Sequence, residues 1–206
     1  MKCVKVALVG FFCTFGVAWA DPTVEQLKST LADKKKLELA IQSGQRQAAF
    51  CFSCHGERGV SLQPEVPNLA GQPASYLLEQ IRRFGDGRRR DAFMQGLLKA
   101  VSDGEKLNIA LYFSAQKLGP TDASTGNPEA GRVLYKQRCE SCHGARGLGN
   151  DVMPTLASQK VTYLTKSLTR YRDRSGERQH KEMSDSLTKV SDAEIGHLAA
   201  FMTALK

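Results

Sequence analysis

Apolar residues return at three- and four-residue steps after Ser102, at Leu107, Ala110 and Leu111, with Ser114 closing the stripe. Such spacing predicts a helix with one buried face. Ser102-Asp-Gly-Glu105 opens it with the Ser-x-x-Glu pattern, in which hydroxyl and carboxylate satisfy the amides of the first turn reciprocally. Ser191-Asp-Ala-Glu194 stands in the same relation to Ile195, Leu198, Ala199 and Met202. Tyr76, Leu77, Gln80 and Ile81 predict a further helix over about 73–83, repeated over about 161–172. Two more are expected near 45–50 and 129–138, each ahead of a cysteine pair. No segment alternates with the period of two that a half-buried strand requires, and the remaining stretches carry Gly, Pro and charge, as loops do. The fold class is all-α.

The pattern runs twice through the chain. Cys51-Phe-Ser-Cys54-His55-Gly56 matches Cys139-Glu-Ser-Cys142-His143-Gly144 at an offset of 88 residues. Pro67, Leu69, Ala70, Gln72 and Tyr76 match Pro154, Leu156, Ala157, Gln159 and Tyr163 at 87, and Met94 matches Met183 at 89. A period this long is a complete small domain rather than a solenoid unit. The reading is two tandem domains, 44–118 and 129–206, joined by a Gly-, Pro- and Ser-containing linker at 119–128. A loop-rich domain of this size has a thin core and would be marginal alone, so a large apolar cofactor would complete it.

The N-terminus departs from this pattern. Lys2 and Lys5 precede an apolar run from Val6 to Val17, and Ala18-Trp19-Ala20 is a small-x-small cleavage site. Residues 1–20 therefore read as a signal peptide, with an uncleaved anchor as the rival reading. Export places the mature chain in the periplasm. Residues 21–43, with Lys34-Lys35-Lys36, are an unassigned leader. Composition adds little: 41% hydrophobic and 24% charged residues are ordinary for a globular protein. Without Lys2 and Lys5 the chain keeps 27 basic against 21 acidic residues. That excess suits acidic protein partners or peripheral contact with anionic membrane. No basic stripe interleaved with aromatics is present, which excludes nucleic acid as a partner.

Four cysteines remain beyond the signal: Cys51, Cys54, Cys139 and Cys142. Two disulfides would be the default in an oxidising compartment. The histidine that follows each pair points instead to covalent attachment of a c-type haem, two in all. Thiols three residues apart on a helical turn reach the two vinyl groups of one porphyrin and form thioethers. The next histidine, His55 or His143, then lies beneath the iron. A redox-active cysteine pair would not need that histidine, and a zinc site would need further ligands. In the first half of the mature chain Met94 is the sole methionine and His55 the sole histidine. The sixth ligand is therefore Met94, unless a lysine binds or the site is open. The second half offers Met153, Met183, Met202, His180 and His197. Register with Met94 selects Met183, with His180 the serious rival. Both axial positions would then be filled, which suits electron transfer rather than catalysis. The Pro67 and Pro154 carbonyls are candidates to accept the imidazole N–H groups. Tyr76, Tyr163 and the arginines at 82–83 and 88–90 are candidates to meet haem propionates, with half-buried core and solvated surface as the plainer alternatives.

Over residues 44–205 the chain resembles the dihaem cytochrome c4 proteins of bacterial periplasm. The likeness rests on the paired Cys-x-x-Cys-His-Gly motifs, the Pro-Asn-Leu-Ala-Gly-Gln-x-x-x-Tyr-Leu stretch from Pro67 to Leu77, Tyr112-Phe113-Ser114, and the segments around Met94 and Met183. It implies two class I cytochrome c-like domains with propionates near their interface, and His55/Met94 and His143/Met183 as axial pairs. It also implies an electron carrier, not an enzyme, that exchanges electrons with redox proteins such as a membrane terminal oxidase or a quinol-oxidising complex. The cytochrome subunit of flavocytochrome c dehydrogenases is similar to these proteins as well, so a subunit role is the alternative. The leader at 21–43 falls outside the resemblance.

Overall fold

The computed structural model describes residues 22–120 and 123–206, so the expected signal segment at 1–20 lies outside the described residues. The first half runs through Pro22–Ala32 (α1), Lys34–Gln47 (α2), a 3₁₀ turn at Ala48–Cys51, Phe52–His55 (α3), Ala74–Gly85 (α4), Ala92–Lys99 (α5) and Asp103–Ser114 (α6). The second runs through Pro128–Arg138 (α7), Glu140–His143 (α8), Val161–Arg172 (α9), Lys181–Ser186 (α10) and Asp192–Ala204 (α11). No strand occurs among the described residues; one isolated antiparallel bridge joins Arg89 to Arg178.

Both predicted capping boxes are formed. Ser102 accepts from the Glu105 amide while Glu105 accepts from the Ser102 amide, and Ser191 and Glu194 repeat the arrangement. These caps fix where α6 and α11 begin, and each helix then buries its apolar face in the core of its own half. Leu107, Tyr112 and Phe113 pack with Leu77 and Leu78 of α4, while Ile195, Leu198 and Met202 pack with Leu164 and Leu168 of α9. In each half the first long helix crosses the last. Where α2 crosses α6, a glycine lets the backbones touch: a Cβ on Gly44 would lie 2.0 Å from the Asn108 carbonyl oxygen. At the crossing of α7 and α11, Gly131 stands in the same relation to His197.

The described part of the expected leader covers α1 and the first ten residues of α2. A domain start at residue 44 cuts α2 ten residues after its first, Lys34. The Lys34-Lys35-Lys36 run is the first turn of that helix, capped by Asp33, whose side chain accepts from the Lys35 and Lys36 amides. Leu37, Ala40 and Ile41 of α2 pack on the first core. Ahead of it, α1 buries Leu27 to 3% exposure. Removing a leucine side chain from water to this extent contributes about 1.5–3 kcal/mol, so α1 is a docked element. At the other join, Pro128 of the expected linker is the first residue of α7, and residues 121 and 122 lie outside the described residues. The helices that carry Met94 and Met183, α5 and α10, replace expected loops.

The halves meet through polar contacts that repeat about a local two-fold relation. The Gln72 side chain donates to the Thr155 carbonyl at 2.7 Å and accepts from the Thr155 amide at 3.1 Å. Gln159 donates to the Asn68 carbonyl at 3.0 Å and accepts from the Asn68 amide at 2.7 Å. Farther along, the Arg90 amide donates to the Glu177 carbonyl and the Gln179 amide to the Arg88 carbonyl.

Candidate haem centres

Each cysteine pair lies on a short helical turn. Cys51 ends the 3₁₀ turn and Cys54 and His55 occupy α3; Cys139 caps α8, which holds Cys142 and His143. One turn of helix sets the two thiols on one side and brings the histidine next in line. Burial pushes the Cys51 thiol up, and the Cys139 thiol up to about 12. Both stay protonated at neutral pH, unlike the thiolate of a reactive redox pair. No cluster of three or more His, Cys, Asp or Glu suited to a metal ion exists among the described residues.

His55 and His143 are 8% and 3% exposed. His55 Nδ1 is 2.9 Å from the Pro67 carbonyl oxygen, and His143 Nδ1 is 3.2 Å from that of Pro154. A carbonyl only accepts, so in both rings Nδ1 carries the proton and Nε2 keeps its lone pair. Burial lowers both imidazole pKa values and outweighs the opposing effect of the carbonyl bonds. The rings are therefore neutral at pH 7. His143 Nε2 is buried with no hydrogen-bond partner, which is costly for a polar atom unless another group takes up its lone pair. An iron ion held at this atom would do so.

A cavity of about 440 Å³ runs across both halves, bordered by Cys51, Cys54, His55 and Met94 of the first and His143 and Met183 of the second. Cys139 and Cys142 lie outside its lining. Met94 and Met183 are each the third residue of their helix, α5 and α10. The second-half rivals separate. Met202 is 1% exposed within the apolar core, and His197 Nδ1 accepts from the Asn127 amide, so both are committed elsewhere. Met153 and His180 do border the cavity. His180 precedes α10 at the place Asp91 holds before α5, and its Nδ1 is 3.1 Å from a Glu182 carboxylate oxygen without hydrogen-bond geometry.

Between the halves the cavity wall is cationic. Arg178, 7% exposed, donates to the Tyr163 hydroxyl at 2.8 Å and the Ser167 hydroxyl at 3.0 Å. Its longer contacts reach Tyr76 and Gln80, both at 3.5 Å. Arg89 donates to Gln80 and to the same Tyr163 hydroxyl, and its guanidinium stacks 4.5 Å from the Phe84 ring centre. Burial alone would raise the Tyr163 phenol, yet Arg178 and Arg89 bring it down. Among the described residues no carboxylate hydrogen-bonds to either guanidinium, an arrangement that suits anionic groups held in the cavity. Residues 88–90 had surface as their plainer reading; Arg89 is instead half-buried at the interface. Arg178 was not foreseen at all, although its place 89 residues after Arg89 puts it in the register of the repeat.

Comparison with known proteins places these features in a family. A cytochrome c family model matches residues 128–206. Cytochrome c4 of Pseudomonas aeruginosa is 34% identical over 175 residues, covering 79% of this chain and 87% of that protein. A thiosulfate dehydrogenase electron acceptor of Thiomonas intermedia is 30% identical over 176 residues, covering 77% and 79%. The crystal structure of reduced recombinant cytochrome c4 from Pseudomonas stutzeri superposes with a TM-score of 0.74 at 32% identity, over 80% of this chain and 98% of that one. The likeness spans both halves and both cysteine motifs, which a shared single domain would not produce. The chain belongs to the cytochrome c4 family, electron carriers with covalently attached haem c, and its two halves have the class I cytochrome c fold.

Proposed function

We propose that this chain is a periplasmic shuttle holding two haems, one in each of two tandem domains. Cys51 and Cys54 carry one by thioether bonds, with His55 and Met94 as axial ligands; Cys139 and Cys142 carry the other, with His143 and Met183. The observation that supports this best is the matched position of the two methionines, each third in its helix and each bordering the cavity with its histidine. A bound haem supplies one-electron chemistry at iron. The chain's own part is to fix the imidazole rings through the Pro67 and Pro154 carbonyls, to exclude water with the two cores, and to neutralise propionates with Arg89 and Arg178.

The membrane terminal oxidase is the proposed acceptor and a quinol-oxidising complex the proposed donor. No helix among the described residues is long and apolar enough to cross a membrane. A second reading is that of an electron-accepting partner or subunit of a dehydrogenase complex. It is favoured by the relative named as a thiosulfate dehydrogenase electron acceptor.

Optical spectroscopy of the oxidised holoprotein tests the axial pairs. A methionine-sulfur-to-iron charge-transfer band with the intensity of two haems, halved in Met94→Ala and in Met183→Ala, is the expected result. A wild-type band worth one haem would mean that one of the two methionine assignments is wrong, and a band unchanged in Met183→Ala would remove Met183 in favour of His180.

A further inference from the structure

The contacts of Gln72 and Gln159 fall on the two peptide units that hold the axial histidines. Pro67 contributes the carbonyl that accepts from His55 Nδ1 at 2.9 Å; the amide of that same peptide unit, on Asn68, donates to Gln159 Oε1 at 2.7 Å. Pro154 accepts from His143 Nδ1 at 3.2 Å, and the amide of its peptide unit, on Thr155, donates to Gln72 Oε1 at 3.1 Å. Each histidine is thus joined through one planar peptide to a glutamine of the opposite domain. Asn68, Thr155, Gln72 and Gln159 are all at most 5% exposed, so water does not compete for these bonds.

We infer that Gln159 and Gln72 are cross-domain positioning residues, each setting the reduction potential of the haem in the other half through the peptide behind its axial histidine. The sign follows from the direction of polarisation. An acceptor on the Asn68 amide draws its proton and leaves the Pro67 oxygen more negative, since bonds in a chain strengthen one another by roughly 10–30% each. A more negative oxygen holds the His55 Nδ1 proton harder, and the ring becomes a stronger donor to iron at Nε2. Stronger donation favours Fe(III), so the intact relay lowers the potential. Each domain therefore tunes its neighbour's haem, and one whose partner domain swings away loses its relay.

Replacement of each glutamine by methionine keeps length and bulk while removing the acceptor. In spectroelectrochemical titration of the two-haem holoprotein, Gln159→Met should move one of the two one-electron waves upward and leave the other in place. Gln72→Met should move the other wave, also upward. A shift of about 59 mV would correspond to a tenfold change in the oxidised-to-reduced ratio. Waves that stay put, that move together, or that move downward would each overturn the relay. Downward movement is what water reaching a loosened haem produces, because exposure favours the charged ferric centre. If one variant gives no folded holoprotein, its mirror in the other half carries the test. The relay rests on the axial-histidine assignment, which the wild-type spectrum checks separately. A spectrum without low-spin character removes the ligands, whereas a normal spectrum with unmoved waves removes only the relay.

Discussion

Gly44 of α2 and Asn108 of α6 pass so closely that a Cβ on the glycine would stand 2.0 Å from the asparagine carbonyl oxygen. That oxygen is helix backbone and cannot rotate away. Gly44→Ala must push the two helices apart, at a cost at or above the roughly 1–3 kcal/mol of ordinary overpacking. Gly96, inside α5 with nothing within 4 Å of its Cβ position, gives the opposite result. Gly96→Ala should stabilise by roughly 0.5–1 kcal/mol through helix propensity. Thermal unfolding of the two holoproteins would show the opposed signs.

Leu27 tests whether α1 contributes to the first domain. It is 3% exposed in the same core as Leu107 and Tyr112. Leu27→Ala should cost about 2–5 kcal/mol. A loss below half a kilocalorie, measured by denaturant unfolding, would return α1 to the status of a loose leader.

Acid should weaken both closing helices through their caps. The Ser102 hydroxyl and then the Ser102 amide hold the Glu105 carboxyl below its ordinary 4.5; for Glu194 the Ser191 amide leads and the hydroxyl follows. A carboxyl with a depressed folded pKa contributes stability that is present above the unfolded value and lost as pH falls through the folded one. Glu105→Gln and Glu194→Gln should therefore be less stable than the wild type at pH 7, with the gap closing below about pH 4.5. Melting temperatures across that range would reveal it.

Arg178 is the buried cation at the centre of the interface. Arg178→Met should lower the reduction potentials, because removing positive charge near the irons favours their ferric state. Holoprotein stability should fall by about 3–5 kcal/mol, the usual consequence of leaving the proposed propionate charges buried and unpaired. Potentials unchanged within error would separate Arg178 from the propionates.

Much of this architecture is written locally in the chain. The starts of α6 and α11 are legible because Ser102/Glu105 and Ser191/Glu194 solve a purely local problem, the free amides of a first turn. The haem motifs are legible for the same reason, since their chemistry fits within five residues. The beginning of α2 was hidden by its lysines, which dominate the composition although they only solvate one face. Its signal was the spacing of Leu37, Ala40, Ile41, Gly44 and Ala48 behind the Asp33 cap. Arg178, Gln72 and Gln159 carry no local signature at all. Their side-chain partners in the opposite half lie 83 to 102 residues away in the chain. Only the mutual orientation of the domains gives those residues a role.

The clasp in which Arg88 meets Gln179 and Arg90 meets Glu177 is isologous: one patch contacts a copy of itself. Two separate molecules of a single half would need concentration to hold such a contact, whereas the covalent join supplies it within the molecule. Fusion also frees the members from identity. Asp91 caps α5 with its side chain and His180, its counterpart, gives α10 no such cap. In a homodimer every substitution strikes both partners at once. Here each haem's surroundings can change while the other's stay fixed, so two unequal potentials can arise from one ancestral surface.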